Sequence, residues 1–414
     1  MTTIGASRPR SARVGLALAG GGALGAVYEI GALCALDEAL DGFSAADVDC
    51  YVGVSAGAIV AALLANGRTP AQLVRMLAGH EPGAESFEPA TLFAPAYGEW
   101  IRGGLRLPTR VLRTMRRLLS AETDDGILGA VNALAEAAPI ALFDNTPLRR
   151  ALRDAFRAGG GTDDFRELSR RLLIVATDLE TGRAIHLGEP GWDDVPIPLA
   201  AQASSAVPGL YPPVAIKGHP CVDGVLLRTV HASLALDHGV ELLLAVNPIV
   251  PVNTESAPRT AAGDVIAHGL PAILSQTFRT LVHSRMEVGL KSYRDRYPDA
   301  DVVLFEPQRD EYRMFFANIF SLSQRLEVCD LAYRSTRADL RARRRALAPV
   351  LSRHGVSLRD AVLDDPTRTL WRAASIDVPV PRLSGAASAG ASWQRAASAL
   401  DAALSRFEVP DRAR

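Results

Sequence analysis

The chain has 414 residues, almost half of them apolar, and a formal charge of −1. That length suits one large domain with an appendage or two ordinary ones. The balance excludes a disordered chain and a protein built on a basic field for nucleic acid. Cys34, Cys50, Cys221 and Cys329 lie too far apart for a Cys-x-x-Cys or zinc pattern and are expected as buried, reduced thiols.

Residues 1–12 read as a loose arm. Arg8, Arg10 and Arg13 precede a nearly uncharged run from Val14 to Tyr28, which superficially copies an export signal. The run carries a glycine cluster, however, and continues into a patterned helix containing Glu29, so export is the weaker reading. No apolar stretch of about 20 residues lacks charges and glycines, and no spanning helix is expected.

Val14 to Ala19 reads as a short apolar strand and Gly20 to Gly25 as a glycine loop. A helix is expected from there to about Leu40, with Val27, Ile30, Leu33 and Cys34 on its buried side and Asp37 ending the stripe. Asp49 to Val54 reads as a second buried strand and Ala56 to Ala65 as an alanine-rich helix. Strand, helix, strand, helix in so few residues implies a parallel sheet.

Residues 86–146, with Pro89, Pro95 and Pro108, break this rhythm and are expected as an inserted helical region. The α/β pattern resumes at Arg171–Asp178, Val214–Ile216, Cys221–Gly224, Glu241–Val246 and Asp301–Phe305, apolar runs suited to a sheet covered on both faces. Tyr312 to about Arg353 looks helical. The expected organisation is a catalytic domain over 13–310, a helical extension over 311–382, and a linker and tail over 383–414.

Gly53-Val-Ser-Ala-Gly57 is a Gly-x-Ser-x-Gly between a strand and a helix. Its glycines, Gly53 and Gly57, let the chain turn sharply and expose Ser55 at the strand's carboxyl end, beside a helix N-terminus that favours developing negative charge. Gly20, Gly22 and Gly25 fit the dinucleotide fingerprint Gly-x-Gly-x-x-Gly, but that fold needs an acid at the carboxyl end of the second strand. Asp47 and Asp49 lie before or at the very start of that strand, and Ser55 follows it. In a parallel βαβ unit both loops emerge on one edge, so the glycine amides are better placed to receive an oxyanion than a pyrophosphate.

A serine nucleophile needs a base. None of the eight histidines sits in a setting that announces catalysis, although His231 or His283 would serve a Ser–His–Asp alternative. Asp223, at the end of a short apolar strand and before Gly224, can bond a serine hydroxyl directly and act as a general base if partly desolvated.

Gly20-Gly-Gly-Ala-Leu-Gly25, Gly53-Val-Ser-Ala-Gly57 and Asp223-Gly224, in that order, resemble the patatin-like phospholipase family. The stretches Ala176 to Gly182 and Ser204 to Val214 look similar too, so the resemblance covers roughly residues 13 to 250. It implies a three-layer α/β/α fold with a mainly parallel central sheet, and hydrolysis of lipid acyl esters without histidine, metal or cofactor. Carried over by position, Ser55 is the nucleophile, Asp223 the base, and the amides of Gly20, Gly21 and Gly22 the oxyanion hole. Two departures stand out. Leu24 replaces the basic residue usual in the glycine loop, and Val225 replaces the glycine or alanine usual after Asp-Gly. Val225 adds a branched side chain beside the base, and a lipid-binding protein with catalysis impaired by a tilted Asp223 or a narrowed site is the corresponding alternative to an active hydrolase.

Residues 101–120 carry Arg102, Arg106, Arg110, Arg113, Arg116 and Arg117 and no acid, with Val111, Leu112, Met115, Leu118 and Leu119 interleaved. Such a helix packs by its apolar side or lies on an anionic membrane. The basic run Arg341 to Arg345 is expected to be a solvated face rather than a nucleic-acid contact. A cytoplasmic protein with a lipid or lysolipid substrate, touching the membrane peripherally through 101–120, is the resulting expectation.

Overall fold

The apolar runs become strands for the reason the sequence supplies: they alternate between two buried faces. In the computed structural model β1 is Val14–Leu18, β2 Cys50–Val54, β3 Arg171–Asp178, β4 Ala184–Leu187, β5 Val214–Ile216, β6 His219–Asp223, β7 Leu242–Val246 and β8 Asp301–Phe305. The structure describes residues 12–81, 94–96, 140–253, 265–311, 314, 317 and 321–376. Nearly all of the expected arm, most of the 86–146 insertion with its 101–120 arginines, and the 383–414 tail lie outside these residues.

The sheet runs β8-β7-β1-β2-β3, all parallel, and the antiparallel β5–β6 hairpin joins it at β3. Leu16 and Leu18 enter the core on one face, Ala17 and Ala19 that on the other. The first face is covered by α1 (Gly22–Ala39), α2 (Ala56–Ala65), α3 (Pro70–Ala78), α4 (Thr146–Ala158), α5 (Ile197–Ser204) and α8 (Leu322–Ala342). The second is covered by α6 (Ala232–Asp237) and α7 (Gly269–Arg296). This is an α/β fold with a mainly parallel central sheet and helices on both sides.

Two details differ from the sequence expectation. Helix α1 starts at Gly22, inside the glycine loop, and is buried almost all round rather than along one stripe. The reason is α8, which lies along its outer side: a Cβ at Gly31 would stand 2.1 Å from the Cys329 carbonyl oxygen. The four cysteines are buried and free, as expected. The basic run is also more engaged than a solvated face. Arg341 bonds the Leu363 carbonyl, Arg343 pairs with Asp339, and Arg344 pairs with Asp360 and Asp364.

The decisive piece of register lies on β3. Along Ile174–Thr177 one side of β3 is taken by β4, so β2 and β6 must share the other side. They do so end to end: Val54 pairs with Val175, and Asp223 pairs with the next residue, Ala176. Two neighbouring residues of one strand thus bring Ser55, which follows Val54, beside Asp223.

Candidate active site

Ser55 sits on the turn between β2 and α2 with φ 54° and ψ −121°, a conformation that costs a non-glycine residue roughly 1–3 kcal/mol. Surrounding contacts hold it there. Gly57 lies so close to β1 that a Cβ would be 2.4 Å from the Leu18 carbonyl oxygen, and a Cβ on Gly53 would be 2.6 Å from the Ala58 Cα. The Ser55 amide donates to Ser204 Oγ at 2.8 Å, Ser204 Oγ donates to the Val175 carbonyl at 2.6 Å, and Ser205 Oγ donates to the Ser55 carbonyl at 3.1 Å. Two serines therefore clamp the strained peptide from both sides.

The Ser55 hydroxyl donates to Asp223 Oδ2 at 2.5 Å. The other carboxylate oxygen, Oδ1, accepts the Val225 amide at 2.9 Å, and Thr177 Oγ1 donates to the Asp223 carbonyl at 3.1 Å. Asp223 is fully buried. Burial pushes its carboxyl up to about 7, against the opposing pull of the bonds from Ser55 and Val225. A carboxyl at that value is poised to take a proton near neutrality.

The glycine loop faces this pair. A Cβ on Gly20 would lie 3.2 Å from the Ser55 Cβ and 3.0 Å from Val225 Cγ2. Gly21 is the N-cap of α1 and Gly22 its first residue, at φ 63°. Amides at such a terminus have no partner within the helix and carry its positive dipole end. Asp47 and Asp49, the acids nearest in count to a ribose ligand, pair with Arg170, and Asp49 Oδ2 accepts the amide of Val14 at the start of β1. That is the opposite edge of the sheet, so the loop meets a serine and not a nucleotide-binding acid.

With Val225 in place Asp223 still meets the Ser55 hydroxyl. Its side chain is buried against Gly20 and the second core, while its amide holds Asp223. Leu24 packs against the first core. The histidines of the triad alternative are engaged elsewhere. His231 is buried, approaches the Gly224 carbonyl at 3.4 Å and is pushed down to about 3 by desolvation. His283 pairs with Glu287 and Glu306.

From Ser55 a cleft of about 170 Å³ runs between α1, α2 and α3, walled by Val27, Ile30, Ile59, Leu63, Leu73 and Met76. Asn145, Ser205, Tyr211 and a buried Arg325 from α8 also line it. Arg325 is the one cation among these lining residues, and its helix lies beyond the stretch in which motifs are legible.

A family model for patatin-like phospholipases matches residues 16–236, more than half of the chain. The chain belongs to the patatin-like phospholipase family. Membership places it among lipid acyl hydrolases, and the matched span contains Gly20, Gly53, Ser55, Gly57 and Asp223. A solved structure, VipD from Legionella pneumophila, is 15% identical over 81% of this patatin-like chain and 68% of that one, with a TM-score of 0.36. Among the described residues no helix is long and apolar enough to cross a membrane, and no cluster of His, Cys, Asp and Glu is arranged to hold a metal ion.

The sequence missed Ser204 and Ser205 as working residues. They fall in the stretch whose likeness to the family was visible, but nothing local ties either hydroxyl to a peptide bond about 150 positions away.

Proposed function

We propose that this protein is a serine acyl hydrolase that cleaves phospholipid, lysophospholipid or a related lipid ester through Ser55 and Asp223. The observation that carries the reading is the 2.5 Å bond from Ser55 Oγ to the buried Asp223 Oδ2, at the head of an apolar cleft. In the reaction Asp223 takes the hydroxyl proton as Ser55 Oγ attacks the ester carbonyl carbon. The carbonyl oxygen becomes an oxyanion beside the amides of Gly20, Gly21 and Gly22. Collapse expels the alcohol, which leaves with the proton from Asp223, and the acyl group stays on Ser55. Water then gives one proton to Asp223 and its oxygen to the acyl carbon, and collapse releases the fatty acid as Asp223 returns that proton to Ser55 Oγ. The cleft holds the acyl chain out of water during both halves.

Intact mass after exposure to a fluorophosphonate tests this. A single adduct is expected on the wild type, none on Ser55→Ala, and a much slower one on Asp223→Asn. An unlabelled but folded wild type, or an adduct that survives Ser55→Ala, rules the dyad out.

A further inference from the structure

Helix α7 carries two apolar faces. Val282, Met286 and Tyr293 are buried against the sheet. Leu270, Leu274, Phe278 and Leu281 point away from it and are exposed, Leu270 by 65% and Leu281 by 61%. At 3.6 residues per turn these four fall within an arc of roughly 80°, one stripe along the first half of the helix.

That half of α7 is tied to the carboxyl edge of the sheet, where Ser55 opens. Gln276 exchanges hydrogen bonds with the Val252 backbone at 2.8 and 3.1 Å, and Arg279 reaches the carbonyls of Pro248 and Val250. Pro248 lies against the glycine loop, its Cγ 2.6 Å from where a Cβ on Gly21 would stand. Leu210, which lines the cleft, is exposed as well, and so is Leu142, linked to it by the Phe143 amide bonding the Leu210 carbonyl at 2.8 Å. Exposed apolar side chains are therefore found both at the cleft and on the helix tied to the sheet's carboxyl edge.

Contiguous exposed apolar surface of this kind marks a contact. Its charge identifies the occupant. Residues 265–286 contain Arg279 and Arg285 and no Asp or Glu, and the first acid is Glu287. Arg279 turns inward onto backbone carbonyls, but Arg285 is exposed on the same side of the helix as the stripe. Apolar side chains beside a cation with no acid among them match the boundary between acyl chains and anionic head groups. We propose that this rim, the α7 stripe with Leu142 and Leu210, docks the protein on a bilayer containing anionic lipid and sets the cleft mouth against it. The inference rests on the lipid-hydrolase reading: a chain that enters the cleft directly from a bilayer never exposes its methylenes to water.

The test uses the full chain. Its native cysteines are buried, so Leu274→Cys in a Ser55→Ala background accepts an environment-sensitive dye selectively. Vesicles of phosphatidylcholine with phosphatidylglycerol should shift the dye to the blue, and phosphatidylcholine alone should do so less. Leu270→Glu with Leu281→Glu should lower co-flotation with the mixed vesicles by roughly tenfold or more, since each withdraws a leucine from the apolar contact. With Ser55 restored, the same pair should slow hydrolysis of vesicle lipid by a similar factor and leave a short water-soluble ester within about twofold. Unchanged flotation overturns the proposal. So does a dye already shifted before vesicles are added, or a solution dimer that the two glutamates dissociate, because either gives the stripe to protein. A wild type that docks through the stripe but hydrolyses no ester keeps this surface and removes the hydrolase reading.

Discussion

Ser204 Oγ accepts the amide hydrogen of Ser55 at 2.8 Å and passes its own hydrogen to the Val175 carbonyl. One hydroxyl thus ties the strained turn after β2 to β3, the strand against which Asp223 pairs. Its loss leaves a buried amide and a buried carbonyl unpaired. Ser204→Ala is expected to cost about 1–3 kcal/mol in stability. It should lower kcat by roughly 10–100-fold through misplacement of Ser55 Oγ, with KM little changed. Thermal unfolding and ester kinetics measured together check this, and a drop in stability with full kcat would make Ser204 purely structural.

The pH dependence follows from Asp223. The base must be ionised, and burial holds its carboxyl up near about 7. Therefore kcat/KM should rise tenfold per pH unit below that value and level off above it. The stability consequence has the opposite sign. The folded state keeps a proton that the unfolded chain releases, so this group's contribution is whole below the ordinary carboxylate range and is lost as pH rises through about 7. Asp223→Asn escapes that loss. Its Tm should exceed the wild type's above pH 7, by up to about 4 kcal/mol of stability, and converge with it near pH 4, while turnover falls by roughly 10³ or more. Paired pH series of kcat/KM and Tm decide the matter. A flat activity profile with no Tm crossover would assign the proton transfer elsewhere.

Val225 packs against Gly20 and lends its amide to Asp223. Its side chain fills space against Gly20, and its amide contact needs no particular side chain. Val225→Gly should lose roughly 2–4 kcal/mol of stability from the vacated space and the freer backbone. No gain in turnover is expected. An increase in kcat with glycine would show that the branched side chain does impede the dyad.

On the proposed function the cleft walls limit acyl-chain length. Met76 lies on α3 and lines it. Met76→Trp takes up cleft volume and should shift preference toward short acyl esters, lowering kcat/KM for long chains by roughly tenfold or more through lost apolar contact. Competition between a butyrate and a palmitate ester reads the shift. An unaltered ratio would mean that the chain does not lie between α1, α2 and α3.

What was legible in the sequence were the places where backbone geometry restricts side chains. Gly53 and Gly57 stand out because the chain passes too close to Leu18 and Ala58 for a Cβ, and a serine between them has few structural reasons to be there. Strands β1, β2 and β3 were legible because burial on both faces demands unbroken apolar runs. Helix α7 was not. Apolar residues on both its inner face and its exposed stripe blur the single-sided period by which an amphipathic helix is recognised.

The sequence by itself determined the βαβα start, the parallel sheet, the serine turn and an aspartate at a strand end, since each is written in local propensity and spacing. Only the tertiary structure decided that Asp223 meets Ser55, because two adjacent register positions on β3 bring together residues 168 apart. It also decided that Ser204 and Ser205 grip the turn, that α8 buries α1 all round and places Arg325 in the cleft, and that the second apolar face of α7 stays open. Hydrogen-bond partners and exposure are relations between distant segments, and no local pattern specifies them.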